Sequence, residues 1–250
     1  MSLWSDIMNT GIVIDANTIF GSMWPLERRD ISIEKLKRDM GRFEVNKAIT
    51  LSARGIFYDH VLGNDETSKV CSEDPRFIPA LTIDPRVFTD DDKEIEKRAL
   101  EGFRILRLFP EFQGFTIQSG HVRRMMAKAM ERSLLLMMPA QVGIKNVLEL
   151  LKELKELRII LGGIGYSEVA EIMVAMGESD NLFIETRLID SVDGVGMLVE
   201  KFGADRLIFG SGAPLGYVGS SLNLIRYARI SEAEKRIIFS GNIERLIGGA

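Results

Sequence analysis

Short runs of aliphatic and β-branched residues alternate with longer amphipathic stretches along the whole chain. This alternation is typical of parallel strands joined by crossover helices, because parallel neighbours need a long connection. Eight runs are candidate strands, at residues 11–17, 47–52, 77–83, 103–109, 134–138, 158–161, 181–186 and 206–211.

The segments between these runs carry helix caps and apolar residues at helical spacing. Helices are predicted at residues 91–101, 119–132, 144–157, 167–176, 192–202, 221–228 and 231–247. Gly102, Gly177 and Gly203 follow three of them, and we expect these glycines to end their helices.

Eight strands with their helices fit into 250 residues, which is the usual size of one (β/α)8 TIM barrel. We therefore predict an α/β fold in which residues 1–250 form a single TIM-barrel domain. Periodicity alone does not establish that the sheet closes, so an open doubly wound α/β sheet remains the alternative.

The charge balance argues against two classes of partner. The chain has 36 acidic and 32 basic residues, mixed along the sequence, and a formal net charge of -4. Without a long basic block, binding to nucleic acid or to a membrane surface is not expected.

Three further features predict a soluble, cytoplasmic protein. Residues 1–9 show no basic leader followed by an apolar core. No apolar run reaches the roughly 18 residues that a membrane-spanning helix needs. Cys71 is the only cysteine, so neither a disulfide nor a thiolate zinc cage can form within one chain, and a reducing compartment fits.

Both ends of the chain carry motifs of a known family. Residues 206–214 read Arg-Leu-Ile-Phe-Gly-Ser-Gly-Ala-Pro, and residues 230–246 end in Asn-Ile-Glu-Arg-Leu. These segments resemble the end of the amidohydrolase-2 (amidohydrolase-related) family, which typically reads FGSD-x-P and later I-x-x-x-N-A-x-R-L. Residues 12–21 resemble its first-strand motif, hydrophobic-D-x-H-x-H-x-G, and residues 77–86 and 102–110 resemble its third and fourth strands. The resemblance implies an amidohydrolase-like TIM barrel with a catalytic metal at its mouth.

The family's metal ligands are replaced at every aligned position. Asn17 and Ile19 stand where the family has its His-x-His pair, and residues 137–141, Met-Met-Pro-Ala-Gln, supply no imidazole at strand 5. Gly163 stands at the strand-6 histidine position. Gly212 stands at the strand-8 aspartate, which in the family is both a ligand and the general base. We therefore expect a degenerate site that holds no metal and no other cofactor.

The count of histidines supports this expectation, because the chain has only His60 and His121. His60 is predicted in a loop after strand 2, and His121 in the first turn of a helix, so both are expected to be surface or half-buried side chains. A typical zinc site needs three or four converging ligands, which two such histidines do not provide.

Polar residues just after the predicted strands are the remaining candidates for chemistry, since barrel active sites lie at the C-terminal strand ends. The candidate catalytic carboxylates are Asp84, Glu111 and Glu185. The candidate substrate-binding residues are Asn17, Arg54, Arg86, Arg107, Gln141, Arg187 and Ser211. Guanidinium groups bind carboxylate and phosphate through paired hydrogen bonds, so the four arginines predict a pocket for an anion. The alternatives are that Arg86 only braces its loop and that Arg107 points outward.

These features lead to two hypotheses about function. The first is an amidohydrolase-related hydrolase or lyase that acts on a small anionic substrate without a metal. The second is a catalytically inactive homologue that serves as a small-ligand-binding or partner protein. Dimers are common among barrels of this kind, so we also expect a homodimer.

Overall fold

The computed structural model describes residues 11–22, 29–87 and 91–248. Residues 1–9, on which the expectation about a leader depends, lie outside this part of the chain. Each of the eight predicted strand regions contains a strand. The strands are β1 Ile14–Asp15, β2 Lys47–Thr50, β3 Phe77–Leu81, β4 Ile105–Arg107, β5 Leu135–Pro139, β6 Ile159–Gly162, β7 Leu182–Glu185 and β8 Leu207–Ile208.

The eight strands form a closed parallel barrel. Each strand pairs with the next in parallel register, in the order β1 to β8. The chain after β1 then meets the chain after β8: the backbone N–H of Ala16 donates to the Phe209 carbonyl at 3.0 Å. The N–H of Ile19 donates to the Ala213 carbonyl, also at 3.0 Å. The predicted TIM barrel is therefore confirmed over the open doubly wound sheet.

Helices surround the barrel and connect successive strands. They are α1 Ile33–Phe43, α2 Arg54–Phe57, α3 His60–Glu73, α4 Asp91–Leu100, α5 Pro110–Gln113, α6 Gly120–Glu131, α7 Ile144–Glu153, α8 Val169–Glu178, α9 Gly194–Phe202, α10 Val218–Arg226, α11 Glu232–Arg236 and α12 Asn242–Gly248. A π-helical turn, Ile237–Gly241, joins the last two and divides the single helix predicted for residues 231–247. In the described ranges, no helix is long and apolar enough to cross a membrane.

Local chemistry explains where several helices begin and end. Ser231 and Glu234 form a reciprocal capping box at the start of α11. Gly203 ends α9 with a φ of 83°, a backbone conformation that favours glycine. Gly177 does not end its helix as predicted, because α8 continues through it to Glu178.

The expected position of His60 was wrong. The Asp59 side chain accepts a hydrogen bond from the Leu62 N–H at 2.9 Å, and this cap starts α3 at His60 instead of leaving a loop. The imidazole is buried. His121 does lie in the first turn of α6, where its Nε2 is 2.9 Å from Asp91 Oδ2.

Two apolar layers account for most of the buried residues. One cluster lies between strands and helices, and the other fills the barrel interior with at least one side chain from every strand. Interior residues are Ile14, Ile49, Ala80, Ile105, Leu135, Ile160, Phe183 and Ile208. Because side chains two residues apart share a face of a strand, Arg107 follows Ile105, and Glu185 follows Phe183, into the mouth of the barrel. The interior is therefore apolar below and charged at its C-terminal end.

A buried carboxylate supports the closure between β1 and β8. Asp15 accepts hydrogen bonds from the N–H of Ser211 at 2.9 Å, from the Ser211 hydroxyl, and from the N–H of Asn17 at 3.0 Å. Burial raises the pKa of Asp15 to about 6, although these hydrogen bonds act in the opposite direction. Ser211, predicted to bind substrate, is thus occupied with Asp15.

The raised pKa of Asp15 predicts a pH-dependent stability. Asp15 binds its proton more tightly in the folded state than in the unfolded chain. The stability that this proton adds to the folded state is therefore present at about pH 4 and is lost as the pH rises through 6. Between about pH 4 and neutral pH, the free energy of unfolding of the wild type should fall by about 1–3 kcal/mol more than that of Asp15→Asn. Urea denaturation of both proteins across this range measures the difference, and parallel pH profiles would contradict the assignment.

Candidate active site

Arg107 lies at the end of β4 and points into the barrel, so the outward alternative is excluded. Its Nη1 donates to the Thr18 carbonyl at 2.6 Å, and its Nη2 donates to Asn17 Oδ1 at 2.6 Å. The guanidinium also lies 5.3 Å from the centre of the Phe109 ring. Burial lowers the pKa of Arg107 to about 10, against the opposing charges of Glu185 and Asp15, so the group remains protonated at neutral pH.

Glu185 is the buried carboxylate of the mouth. It ends β7 with no exposed surface, and its Oε2 accepts from Asn17 Nδ2 at 3.2 Å. Its Oε1 accepts from the backbone N–H of Arg187 at 2.8 Å. Burial raises the pKa of Glu185, while Arg187, Asn17 and Arg107 act to lower it. The Asn17 amide therefore links the buried carboxylate to the buried guanidinium.

Two glycines on the neighbouring strands make room for this carboxylate. A Cβ at Gly210, after β8, would lie 2.6 Å from Glu185 Oε1 and 2.7 Å from its Cγ. A Cβ at Gly162, in β6, would lie 3.0 Å from Glu185 Oε2. Any larger residue at either position would therefore crowd the Glu185 side chain.

Arg187 covers Gly212, the position of the family's strand-8 aspartate. A Cβ at Gly212 would lie 2.5 Å from Arg187 Nη1 and 2.8 Å from its Cδ, and Gly212 has a φ of 70°. The guanidinium thus occupies the space that an aspartate side chain would need. Within the described part of the chain, the buried Nε of Arg187 has no hydrogen-bond partner.

A cavity of about 450 Å³ opens above this network, which we call the mouth cavity. Its polar lining residues are Asn17, Arg107, Glu111, Gln141 and Arg187. Its apolar lining residues are Leu108, Phe109, Phe112, Met137, Met138, Pro139 and Leu188. The side chains that line it thus include two guanidinium groups, one carboxylate and aromatic walls, a combination suited to a small anion with an apolar body.

The structure brings six of the ten candidate residues together, five in the lining and Glu185 beneath Asn17. Arg54 instead pairs with Glu66 on the surface, at 2.8 Å. Arg86 pairs with Asp84 through Nη2–Oδ2 and Nε–Oδ1 distances of 2.7 and 3.0 Å, which is the loop-bracing alternative. Burial of Asp84 acts to raise its pKa, but the hydrogen bonds and charge of Arg86 leave that pKa below its usual value.

The sequence-based candidates did not include Asp15. They also did not include the apolar residues that line the mouth cavity. Asp15 had a visible signal, a lone carboxylate inside the apolar run of residues 12–16. Phe109 also had one, since it follows Ile105 and Arg107 at the spacing of a single strand face. Phe112 lies in the one-turn helix α5 and Leu188 in the turn after β7, segments too short for periodicity to predict the direction of a side chain.

Comparison with known proteins gives the family. The amidohydrolase family model (Amidohydro_2) matches residues 23–249, so the chain belongs to this family of (β/α)8 barrels. No curated protein matches the sequence. Among solved structures, 5-carboxyvanillate decarboxylase from Novosphingobium aromaticivorans, with manganese and 3-methoxy-4-hydroxy-5-nitrobenzoic acid bound, has a TM-score of 0.77 at 15% identity. That match covers 96% of this chain and 98% of the other.

Two further structures are similar in fold. 2,6-Dihydroxybenzoate decarboxylase from Rhizobium has a TM-score of 0.74 at 16% identity, covering 95% of this chain and 98% of its own. A probable 2-pyrone-4,6-dicarboxylic acid hydrolase from Acinetobacter baumannii, with citric acid bound, has a TM-score of 0.71 at 12% identity, covering 95% and 100%.

The residues at this mouth do not fit a divalent metal. Among residues 11–22, 29–87 and 91–248, no group of three or more His, Cys, Asp or Glu side chains is arranged to hold one. Glu185 is the carboxylate at the centre, and both of its oxygens already accept hydrogen bonds. The positive charges of Arg107 and Arg187 would repel a metal cation placed in the same space.

The packing around Glu185 can be tested with two matched glycine substitutions. Gly210→Ala should lower the free energy of unfolding by about 1–3 kcal/mol, because its Cβ meets three atoms of the Glu185 side chain. Gly162→Ala should cost less, since its Cβ meets mainly Oε2. Chemical denaturation measures both, with each glycine variant repeated in a Glu185→Ala background. An equal cost of Gly210→Ala with and without Glu185 would contradict the close contact.

Proposed function

We propose that the barrel mouth binds a small, largely apolar carboxylic acid, and that the chain acts on it as a lyase or hydrolase without a divalent metal. The observation that carries this proposal is the pair of guanidinium groups, Arg107 and Arg187, that line an apolar cavity. A carboxylate gains charge-assisted, paired hydrogen bonds from such groups. The aromatic and aliphatic walls suit the remainder of the acid.

Arg187 is the principal contact in this proposal. Two nitrogens of Arg107 already donate to Thr18 and Asn17, so Arg107 contributes mainly its charge. Within the described residues, the Arg187 side chain forms no hydrogen bond or ion pair, and it is only half-buried. Its guanidinium therefore has donors available for a ligand carboxylate.

The carboxyl groups of the mouth take different roles. Glu111 lines the cavity and is the group we propose to transfer a proton to or from the bound acid. Several structures with this fold are decarboxylases of aromatic acids, and loss of CO2 leaves an electron pair on the substrate carbon that must take up a proton. Glu185 lies below the cavity and is a positioning residue, because it holds Asn17 and balances the charge of Arg187.

A second candidate function is ligand binding without turnover. Glu185, the carboxylate whose pKa is raised by burial, is enclosed by Asn17, Gly162 and Gly210, and does not reach the cavity. Only the solvent-exposed Glu111 remains as a carboxylate in the lining within the described residues. This arrangement favours an inactive homologue that retains a small-acid site.

Removal of the Arg187 guanidinium tests the binding proposal. Arg187→Met should weaken benzoate binding by about tenfold or more, since it removes charge-assisted hydrogen bonds. Isothermal titration calorimetry measures the dissociation constant, with Arg54→Met as a matched control in which the lost arginine lies on the surface. Equal weakening in the two variants, or no benzoate binding by the wild type, would refute the proposed anion site.

Turnover separates the two candidate functions. The enzyme hypothesis predicts that 2,6-dihydroxybenzoate or a similar acid is consumed in the presence of EDTA, as followed by liquid chromatography. It also predicts that Glu111→Gln abolishes consumption but retains binding, whereas Glu149→Gln, on the exposed side of α7, changes neither. Binding without consumption across a panel of aromatic acids would favour the second candidate.

A further inference from the structure

A second cavity of about 290 Å³, which we call the side cavity, lies next to the mouth cavity. Glu111, Pro139 and Gln141 line both cavities, so the two share a wall. The side cavity lies over the loops that follow β4 and β5. Its other lining residues are Pro110, Phe115, Thr116, Ile117 and Val142.

The two cavities differ in chemistry. The mouth cavity has its guanidinium groups at the inner end, near Asn17. The side cavity is lined by five apolar residues, two prolines, a phenylalanine, an isoleucine and a valine, beside Thr116, Gln141 and Glu111, and within the described residues it has no cationic side chain. A ligand that spans both would place an anion at one end and an apolar group at the other, as the hydrophobic effect favours.

Gln141 lies at the boundary between the two cavities. Its Nε2 donates to the Gly163 carbonyl at 3.1 Å, which ties the side chain to the loop after β6. Gly163 has a φ of 74° and no side chain to occupy this space. A side chain at position 163 would contact the Gln141 amide, so the glycine leaves room for Gln141 in this position.

We propose that the ligand is an extended acid with two parts: a ring-bearing carboxylate held in the mouth cavity, and a second apolar group held in the side cavity. This inference depends on the proposed function, because the head group binds through Arg187. The inference adds that the ligand is larger than a single-ring benzoate. Gln141 and the residues of the side cavity then determine specificity.

Two probe acids test the inference by calorimetry, benzoate and biphenyl-4-carboxylate. The longer acid should bind the wild type about tenfold or more tightly, because its second ring leaves water. Thr116 is exposed and lines only the side cavity, so Thr116→Trp should fill this cavity and reduce that preference to about threefold or less. Benzoate should bind Thr116→Trp and wild type equally, which also confirms that the variant is folded, and Thr116→Ser is the matched control.

A second variant, Val142→Phe, fills the side cavity from the loop after β5 and should have the same effect. If benzoate binds through Arg187 but biphenyl-4-carboxylate binds no tighter, the two-part ligand is refuted while the proposed function stands. An unchanged preference in both filling variants would also refute it. If neither acid binds the wild type, the proposed function fails, and this inference fails with it.

Discussion

The burial of the Glu185 carboxylate controls the construction of the barrel mouth. A carboxylate without exposed surface is costly unless hydrogen bonds and opposite charge compensate its lost hydration. Here the compensation comes from three different strand ends: Asn17 after β1, Arg107 from β4 and Arg187 after β7. Removing Arg107 or Arg187 would leave Glu185 with less opposite charge, and removing Asn17 would leave its Oε2 without this hydrogen bond, so these groups act as one unit.

The same constraint explains the glycines on β6 and after β8. Gly162 and Gly210 give Glu185 its volume, and Gly212 gives Arg187 its volume. Considered only as lost catalytic residues, an absent histidine and an absent aspartate suggest decay. Considered together with their neighbours, the glycine at position 163 leaves room for the Gln141 amide, and the glycine at position 212 leaves room for the Arg187 guanidinium. In the proposed function, the guanidinium supplies a fixed positive charge and directed donors, which suit recognition of a carboxylate.

The sequence predicted the barrel because the same pattern, a short apolar strand followed by an amphipathic helix, recurs along the whole chain. It also predicted Arg107, Glu185 and Arg187 as neighbours, since barrel topology brings the C-terminal strand ends together. The closure at Asp15 and the direction of Arg107 depend on contacts between distant segments, which periodicity does not encode. The pairing of Asp84 with Arg86 is local, and the sequence left it open as the loop-bracing alternative. The start of α3 at His60 was missed because the Asp59 cap is a single side chain without a strongly periodic helix behind it.

In the proposed function, arginine charge at the barrel mouth takes the place of a divalent metal. Elemental analysis by inductively coupled plasma mass spectrometry tests it most directly, on protein expressed with added zinc and manganese and then dialysed. We expect a metal content far below one ion per chain. A content near one ion per chain would contradict it and would require a binding site that these arginines and Glu185 do not form.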